Sequence, residues 1–190
     1  MTLAPRALLL MLLGMTAARG AAGQVGQLGQ AQVLALVAVG SSVLSVTVTS
    51  GAVQSIPSLA DNAINSFPSP VVVRTDWNLN PGQSASVELV ASFPVPSQAL
   101  SGAGTQIPSS RVLGRMTTGL PVTYTAISQG PVAGVGTAGG SLRLFTQAIN
   151  GGNKVGSRND DLDLQLNLTG FPTLPAGTLS GTLTLQAVTQ

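Results

Sequence analysis

The side chains that most often carry out catalysis are absent from this chain, which has no histidine and no cysteine. Without them Ser-His-Asp and Cys-His nucleophiles cannot be built, and the commonest zinc ligand is missing. Lys154 is the only lysine. It follows Gly151, Gly152 and Asn153, in a turn sequence where a lysine is normally solvated. We therefore predict a protein that is not an enzyme and that has no catalytic residues and no cofactor.

Three aspartates form the one acidic cluster of the sequence: Asp160, Asp161 and Asp163. Carboxylate oxygens suit Ca²⁺, which makes these residues candidates for a calcium site. In an extended strand, however, Asp161 and Asp163 share one face while Asp160 points to the other. The alternative is the charged beginning of a strand, which discourages edge pairing, with Arg158 near enough to offset the charge. We favour this alternative and predict no bound metal.

Two aromatic residues, Trp77 and Tyr124, are candidates for ligand binding. Trp77 is the only tryptophan, and Arg74 and Asp76 precede it. An aromatic ring flanked by hydrogen-bonding groups could bind a sugar. In a strand, however, Trp77 shares its face with Val73, which favours a place in the core. Tyr124 lies in an alternating run over residues 121–128, which predicts a further strand.

The elements that would position these residues are strands. Side chains on a strand alternate between two faces, so apolar residues at every second position indicate a half-buried strand. Two C-terminal runs show this pattern, with the apolar residues Leu162, Leu164, Leu166 and Leu168 in the first and Leu183, Leu185 and Ala187 in the second. A Gly/Pro-rich connection joins the runs. They are therefore predicted to be adjacent, antiparallel strands.

Turn sequences separate several further runs of strand-like residues. Asn80-Pro81-Gly82-Gln83 predicts a hairpin between residues 71–79 and 84–93, and Asn150-Gly151-Gly152-Asn153 predicts a second hairpin-type turn. The remaining runs lie at 33–39, 43–50, 111–116 and 141–149. Seven or eight strands without a long helical pattern predict an all-β protein, a two-sheet antiparallel β-sandwich.

The N-terminus has the organisation of a cleaved signal peptide over residues 1–23. Arg6 precedes an apolar stretch, and Ala21-Ala22-Gly23 supplies the small residues of a cleavage site, with cleavage after Ala18 as the alternative. The apolar stretch is shorter than the roughly 20 residues of a spanning helix, so we expect no membrane span in the mature protein. Residues 24–32, rich in Gly and Gln, are expected to be a flexible arm. A single β-sandwich domain would then cover residues 33–190.

The charge balance favours association with other proteins over binding to nucleic acid. The sequence has eight Lys/Arg and six Asp/Glu, and two of the eight, Arg6 and Arg19, lie in the predicted leader. The mature protein is then formally neutral, and nothing in its charge suggests a basic surface for nucleic acid or anionic lipid. It also lacks the charge repulsion that opposes self-association. We predict that its partners are further copies of itself or other surface-protein subunits, in the periplasm, on the outer-membrane surface or outside the cell.

The ending L-P-A-G-T-L-S-G-T-L-T-L-Q-A at residues 174–187 resembles the last strands of secreted bacterial pilin-like sandwiches, the spore coat protein U and fimbrial subunit group. The resemblance covers the C-terminal strands, and the sequence departs from many members by lacking cysteine. It implies an immunoglobulin-like fold, assembly by strand donation and a periplasmic chaperone as a partner. The leading hypothesis is a secreted structural or adhesive surface subunit. The alternative is an extracellular carbohydrate- or ligand-binding module.

Overall fold

The computed structural model describes residues 31–35, 38–39, 43–79 and 86–190. The described residues form fourteen strands and two three-residue 3₁₀ turns, Pro96–Gln98 and Ser109–Arg111. The prediction of a nearly all-β protein is confirmed. The predicted signal peptide, most of the predicted arm and the turn at residues 80–83 lie outside the described residues.

The strands in sequence order are β1 (Ala31–Ala35), β2 (Ala38–Val39), β3 (Val43–Ser50), β4 (Val53–Gln54), β5 (Ile64–Ser66), β6 (Val71–Asn78), β7 (Ser86–Ser92), β8 (Leu100–Gly102), β9 (Thr105–Ile107), β10 (Val112–Met116), β11 (Thr125–Ala126), β12 (Ser141–Ala148), β13 (Val155–Asn167) and β14 (Gly181–Thr189). Eight of them have five or more residues, where the sequence predicted seven or eight strands. β1 begins two residues inside the predicted arm.

Most of these strands belong to two sheets. The first sheet has the order β12-β7-β14-β1-β4, and the second has the order β11-β10-β13-β6-β3-β2, with β5 also paired to β13. Neighbours are antiparallel except β1 and β14, which run parallel. β8 and β9 form a separate hairpin. The N-terminal described strand therefore lies beside the C-terminal strand.

One hydrophobic cluster contains side chains from both sheets, including Leu89 and Leu183 of the first and Val73 and Leu164 of the second. It forms because each long strand presents one apolar face. In β13 the burial alternates through Leu162, Leu164 and Leu166, Leu168 is buried just after the strand, and in β14 Leu183 is fully buried. Two sheets that share one apolar cluster are consistent with a β-sandwich.

The prediction that the two leucine-rich C-terminal runs pair with each other is wrong. β13 lies in the second sheet between β10 and β6, whereas β14 lies in the first sheet between β7 and β1. Residues 168–180 therefore connect one sheet to the other. Alternation determines which face of a strand is buried, but it carries no information on which strand lies beside it.

Both predicted hairpins are wrong for the same reason. β6 and β7 belong to different sheets, and so do β12 and β13. The antiparallel neighbours of β6 are β3 and β13, in which Leu44 and Gly156 lie opposite Trp77. The predicted strand at 111–116 is present as β10, while the strand predicted over 121–128 is reduced to the two residues of β11.

No helix within the described ranges is long and apolar enough to cross a membrane.

Replacing Leu166 by alanine should lower the free energy of unfolding by about 2–5 kcal/mol, because truncating a buried leucine leaves a cavity. Leu166 has no exposed surface. Its neighbour Gln165 points to the opposite, partly exposed face of β13, so Gln165→Ala should change the stability by only about 0.5 kcal/mol. Urea unfolding followed by circular dichroism measures both variants. Similar losses in the two would contradict the assigned faces.

Candidate functional site

A charged pair lies on the core-facing side of β13. Asp160 is 1% exposed and shares its face with Leu162 and Leu164. Arg158 lies two residues earlier on the same face. Its Nε donates a hydrogen bond to Asp160 Oδ2 and its Nη2 donates one to Oδ1, both at 2.6 Å. One guanidinium therefore engages both carboxylate oxygens, which is the strong bidentate form of an Arg–Asp pair.

The surroundings of this pair join both sheets and a loop. Thr118 Oγ1 donates to Asp160 Oδ1 at 2.7 Å, and Thr118 O accepts a hydrogen bond from Arg158 Nη2 at 2.6 Å. The guanidinium carbon lies 4.5 Å from the ring centroid of Phe145 in β12. A Cβ on Gly119 would lie 3.0 Å from Arg158 Nη2. The pair thus connects β13 of the second sheet to β12 of the first and holds the loop after β10.

Thr75 adds a polar group beside this pair. It lies opposite Arg158 in the register of β6 and β13 and has no exposed surface. Among the described residues its Oγ1 is buried without a hydrogen-bond partner. This end of the apolar cluster is therefore more polar than the part filled by leucines.

The three aspartates of the calcium hypothesis do not converge. Asp160 faces the core with Arg158, whereas Asp161 and Asp163 lie on the outer face of the second sheet. Asp163 Oδ2 accepts a hydrogen bond from Arg115 Nη2 at 2.5 Å. Within the described parts of the protein, no group of three or more His, Cys, Asp or Glu side chains is placed to hold a metal ion. The alternation of β13 is the cause, because it separates consecutive carboxylates onto opposite faces.

Trp77 lies in the core rather than on a surface platform. It is 6% exposed, and its Nε1 donates to Asn153 O at 2.9 Å. Arg74 donates hydrogen bonds from Nε to Asp76 Oδ2 and from Nη2 to Asp76 Oδ1, on the opposite face of β6, away from the indole ring. The hydrogen bond from Arg74 holds the pKa of Asp76 below its ordinary value. These three residues therefore do not form one ligand site.

Tyr124 lies on the outer face of the second sheet against Arg115, whose guanidinium carbon is 4.7 Å from the ring centroid. Arg115 also pairs with Asp163, its register partner across β10 and β13. The hydrogen bond to Asp163 raises the pKa of Arg115 above its ordinary value. Arg115 thus contacts both Tyr124 and Asp163, although the sequence did not mark it as a site residue. We call these three residues the Tyr124 surface.

A different kind of candidate site is the seam between β1 and β14. Five residue pairs form it in parallel register, from Ala31 opposite Gly181 to Ala35 opposite Leu185. On its other side β1 pairs with β4, at Ala31 and Gln32. The seam joins residues about 150 positions apart in the sequence, so it brings the two ends of the described residues together.

No protein-family profile matches the sequence, and a search of curated proteins found no match.

Arg158→Met should cost about 3–5 kcal/mol of stability, because it leaves the Asp160 carboxylate buried without its partner. The double variant Arg158→Met/Asp160→Leu should lose clearly less stability than the sum of the losses in the single variants Arg158→Met and Asp160→Leu. Urea unfolding of the native protein, the two single variants and the double variant gives the coupling energy. Arg74→Met, at an exposed pair, is the control and should cost about 0–1 kcal/mol. Additive losses at Arg158 and Asp160 would contradict the coupling.

Proposed function

We propose that the protein is a secreted, non-enzymatic structural or adhesive subunit of a bacterial surface, and that its copies associate by exchanging β1. The observation that carries the proposal is the parallel pairing of β1 with β14. A sequence without histidine or cysteine has few reactive side chains. We therefore expect the protein to act by binding other proteins, and the seam would give contact between two copies a defined geometry.

The seam suits exchange because the pairing uses backbone groups. A β1 strand from a second copy can make the same hydrogen bonds to β14 as the strand of the same molecule, in the manner of peptides that add a strand to a sheet. Each copy then loses and regains the same five residue pairs. Exchange of an identical element between copies is a low-cost route to association for this reason.

The opposite edge of the first sheet is protected against such pairing along the first half of β12, from Ser141 to Leu144. Gln129 N donates to Ser141 O at 2.7 Å, and Gln129 Oε1 accepts from Arg143 N at 3.0 Å. Further along β12, Leu120 N donates to Leu144 O at 3.2 Å. These β12 groups are occupied, so a foreign strand cannot use them. Edge protection at β12 supports association through the other side of the sheet, where β1 lies.

The charged groups favour close approach of copies. Four of the described arginines are each within 4 Å of a carboxylate, in the pairs Arg74–Asp76, Arg115–Asp163, Arg143–Glu88 and Arg158–Asp160. Local pairing of opposite charges leaves little long-range repulsion between identical molecules.

Cysteine cross-linking tests the exchange, since the native protein has no cysteine. Gln32 and Thr182 are register partners in the seam, and paired strands place Cα atoms about 5 Å apart, within disulfide range. Gln32→Cys and Thr182→Cys proteins, one of them carrying a size tag, are unfolded, mixed, refolded and oxidised. Exchange predicts a disulfide-linked heterodimer on a non-reducing gel.

The matched control mixes Gln32→Cys with Thr47→Cys, because Thr47 is an exposed residue of β3 in the other sheet. This pair should give no heterodimer above background. The double variant Gln32→Cys/Thr182→Cys reports pairing within one molecule. If it closes fully as a monomer while the mixture of single variants gives no heterodimer at any concentration, β1 is not exchanged.

A second candidate function, binding of an extracellular carbohydrate or other polar ligand, is favoured by the Tyr124 surface. A partly exposed ring beside a guanidinium and a carboxylate offers both a stacking plane and hydrogen-bonding groups. These groups lie on the outer face of the second sheet, away from the seam. The two functions can therefore be tested separately.

Tyr124→Ala should weaken binding to an immobilised glycan by about tenfold or more, because the stacking plane is lost. The measurement is binding of the tagged protein to a glycan array, followed by titration of the bound glycans. Thr47→Ala, on another strand of the same sheet, is the control and should bind like the native protein. Absence of any binding by the native protein would exclude this function for the glycans tested.

A further inference from the structure

The turn between β12 and β13 contains Asn150 followed by Gly151. We propose that Asn150 is a site of spontaneous deamidation in the folded protein, and that the change is transmitted to Trp77. No other asparagine of the sequence is followed by glycine. The inference is independent of the proposed function, because it concerns the chemistry of one turn.

The reaction needs only the protein and water. The backbone nitrogen of Gly151 loses its proton and forms a bond to Cγ of Asn150, and the bond between Cγ and Nδ2 of Asn150 breaks. The amide nitrogen leaves as ammonia after taking up a proton, which leaves a cyclic imide. Water then opens the ring at either carbonyl carbon and gives aspartate or isoaspartate. One water is consumed and one ammonia is released, without oxidation or reduction.

The geometry of the turn favours this attack. Asn150 and Gly151 are both exposed, and a Cβ built on Gly151 would have no heavy atom within 4 Å, so solvent reaches the attacking nitrogen. Gly152 N donates to Asn150 Oδ1 at 2.9 Å. This oxygen becomes negatively charged as the new bond forms, and a donor already aimed at it stabilises that charge.

Hydrogen bonds connect the turn to the core. Asn150 N donates to Asn153 Oδ1 at 2.6 Å, and Asn153 O accepts the hydrogen bond from Trp77 Nε1 at 2.9 Å. Asn153 Nδ2 also donates to Ala148 O at 2.8 Å. Isoaspartate adds a methylene group to the backbone at residue 150, which displaces Asn153 from these partners. The indole of Trp77, the only tryptophan, then loses its acceptor.

The test is incubation of the folded protein at mildly alkaline pH, with peptide mapping by mass spectrometry and tryptophan emission recorded in parallel. We expect aspartate and isoaspartate to accumulate at Asn150 at least about tenfold faster than at any other asparagine. A shift of the emission to longer wavelength should follow the isoaspartate fraction.

Two variants separate the parts of the proposal. Gly151→Ala fits the turn, because Gly151 does not have a positive φ and nothing lies near its Cβ position. It should slow the reaction at least about tenfold and keep the native emission. Freshly prepared Asn150→Asp protein carries the charge without a lengthened backbone and should also show the native emission.

Three results would overturn the proposal. If Asn150 stays intact in the folded protein while the protein unfolded in urea deamidates there, the fold protects the site. If the Gly151→Ala variant deamidates as fast as the native protein, attack by the backbone nitrogen of residue 151 does not determine the rate. If isoaspartate accumulates without a change in emission, the turn does not transmit the change to Trp77.

Discussion

The hydrogen-bonded pair of Arg158 and Asp160 occupies the part of the core-facing side of β13 that leucines do not fill. Burying a carboxylate is costly unless its oxygens are satisfied. Here both carboxylate oxygens accept hydrogen bonds from the guanidinium of Arg158, and the hydroxyl group of Thr118 donates a further one. The ring of Phe145 covers the guanidinium from the first sheet. The two sheets are therefore held at this end by directed contacts, in addition to apolar packing.

The same pair has a consequence at the edge of the first sheet. Arg158 holds Thr118 through its carbonyl oxygen, and Leu120, two residues later, donates to Leu144 O in the edge strand β12. Gly119 between them is tightly packed, because a Cβ would lie 3.0 Å from both Arg158 Nη2 and Leu144 O, and these groups would have to shift to accept a side chain. The buried ion pair thus holds the loop at Thr118, and the same loop covers part of the edge of β12 through Leu120. Loss of the pair would loosen the loop and expose edge groups to other molecules.

Periodicity predicted the faces of the strands well. Leu164, Val73 and Trp77 are buried as alternation requires, and the core-facing position of Asp160 follows from its spacing to Leu162. Periodicity did not predict which strands lie beside one another in a sheet. The same Gly- and Pro-rich turns can join neighbouring strands of one sheet or cross to the other sheet. Both connections predicted as hairpins cross to the other sheet.

The candidate site was predicted less completely than the fold. Tyr124 and Asp163 were singled out for different reasons, and Arg115, which joins them, was missed. Its role depends on the register of β10 against β13 and on the loop that returns to place Tyr124 beside it. The parallel pairing of β1 with β14 was missed as well. It joins the two ends of the described residues, and no local pattern marks such a contact.

The sheet crossings also bear on how copies would come to associate. Because successive long strands often enter different sheets, many pairings join residues far apart in the sequence, and such contacts carry a larger loop-closure cost and slow folding. β1 is an extreme case, since residues 31–35 need residues 181–185 as their partner. Without β1, the side of β14 facing away from β7 would be an open edge. A β1 strand of a second copy competes for that edge in proportion to its concentration, whereas the strand of the same molecule competes at a fixed effective concentration. The exchange that we propose would therefore be favoured when many copies fold close together.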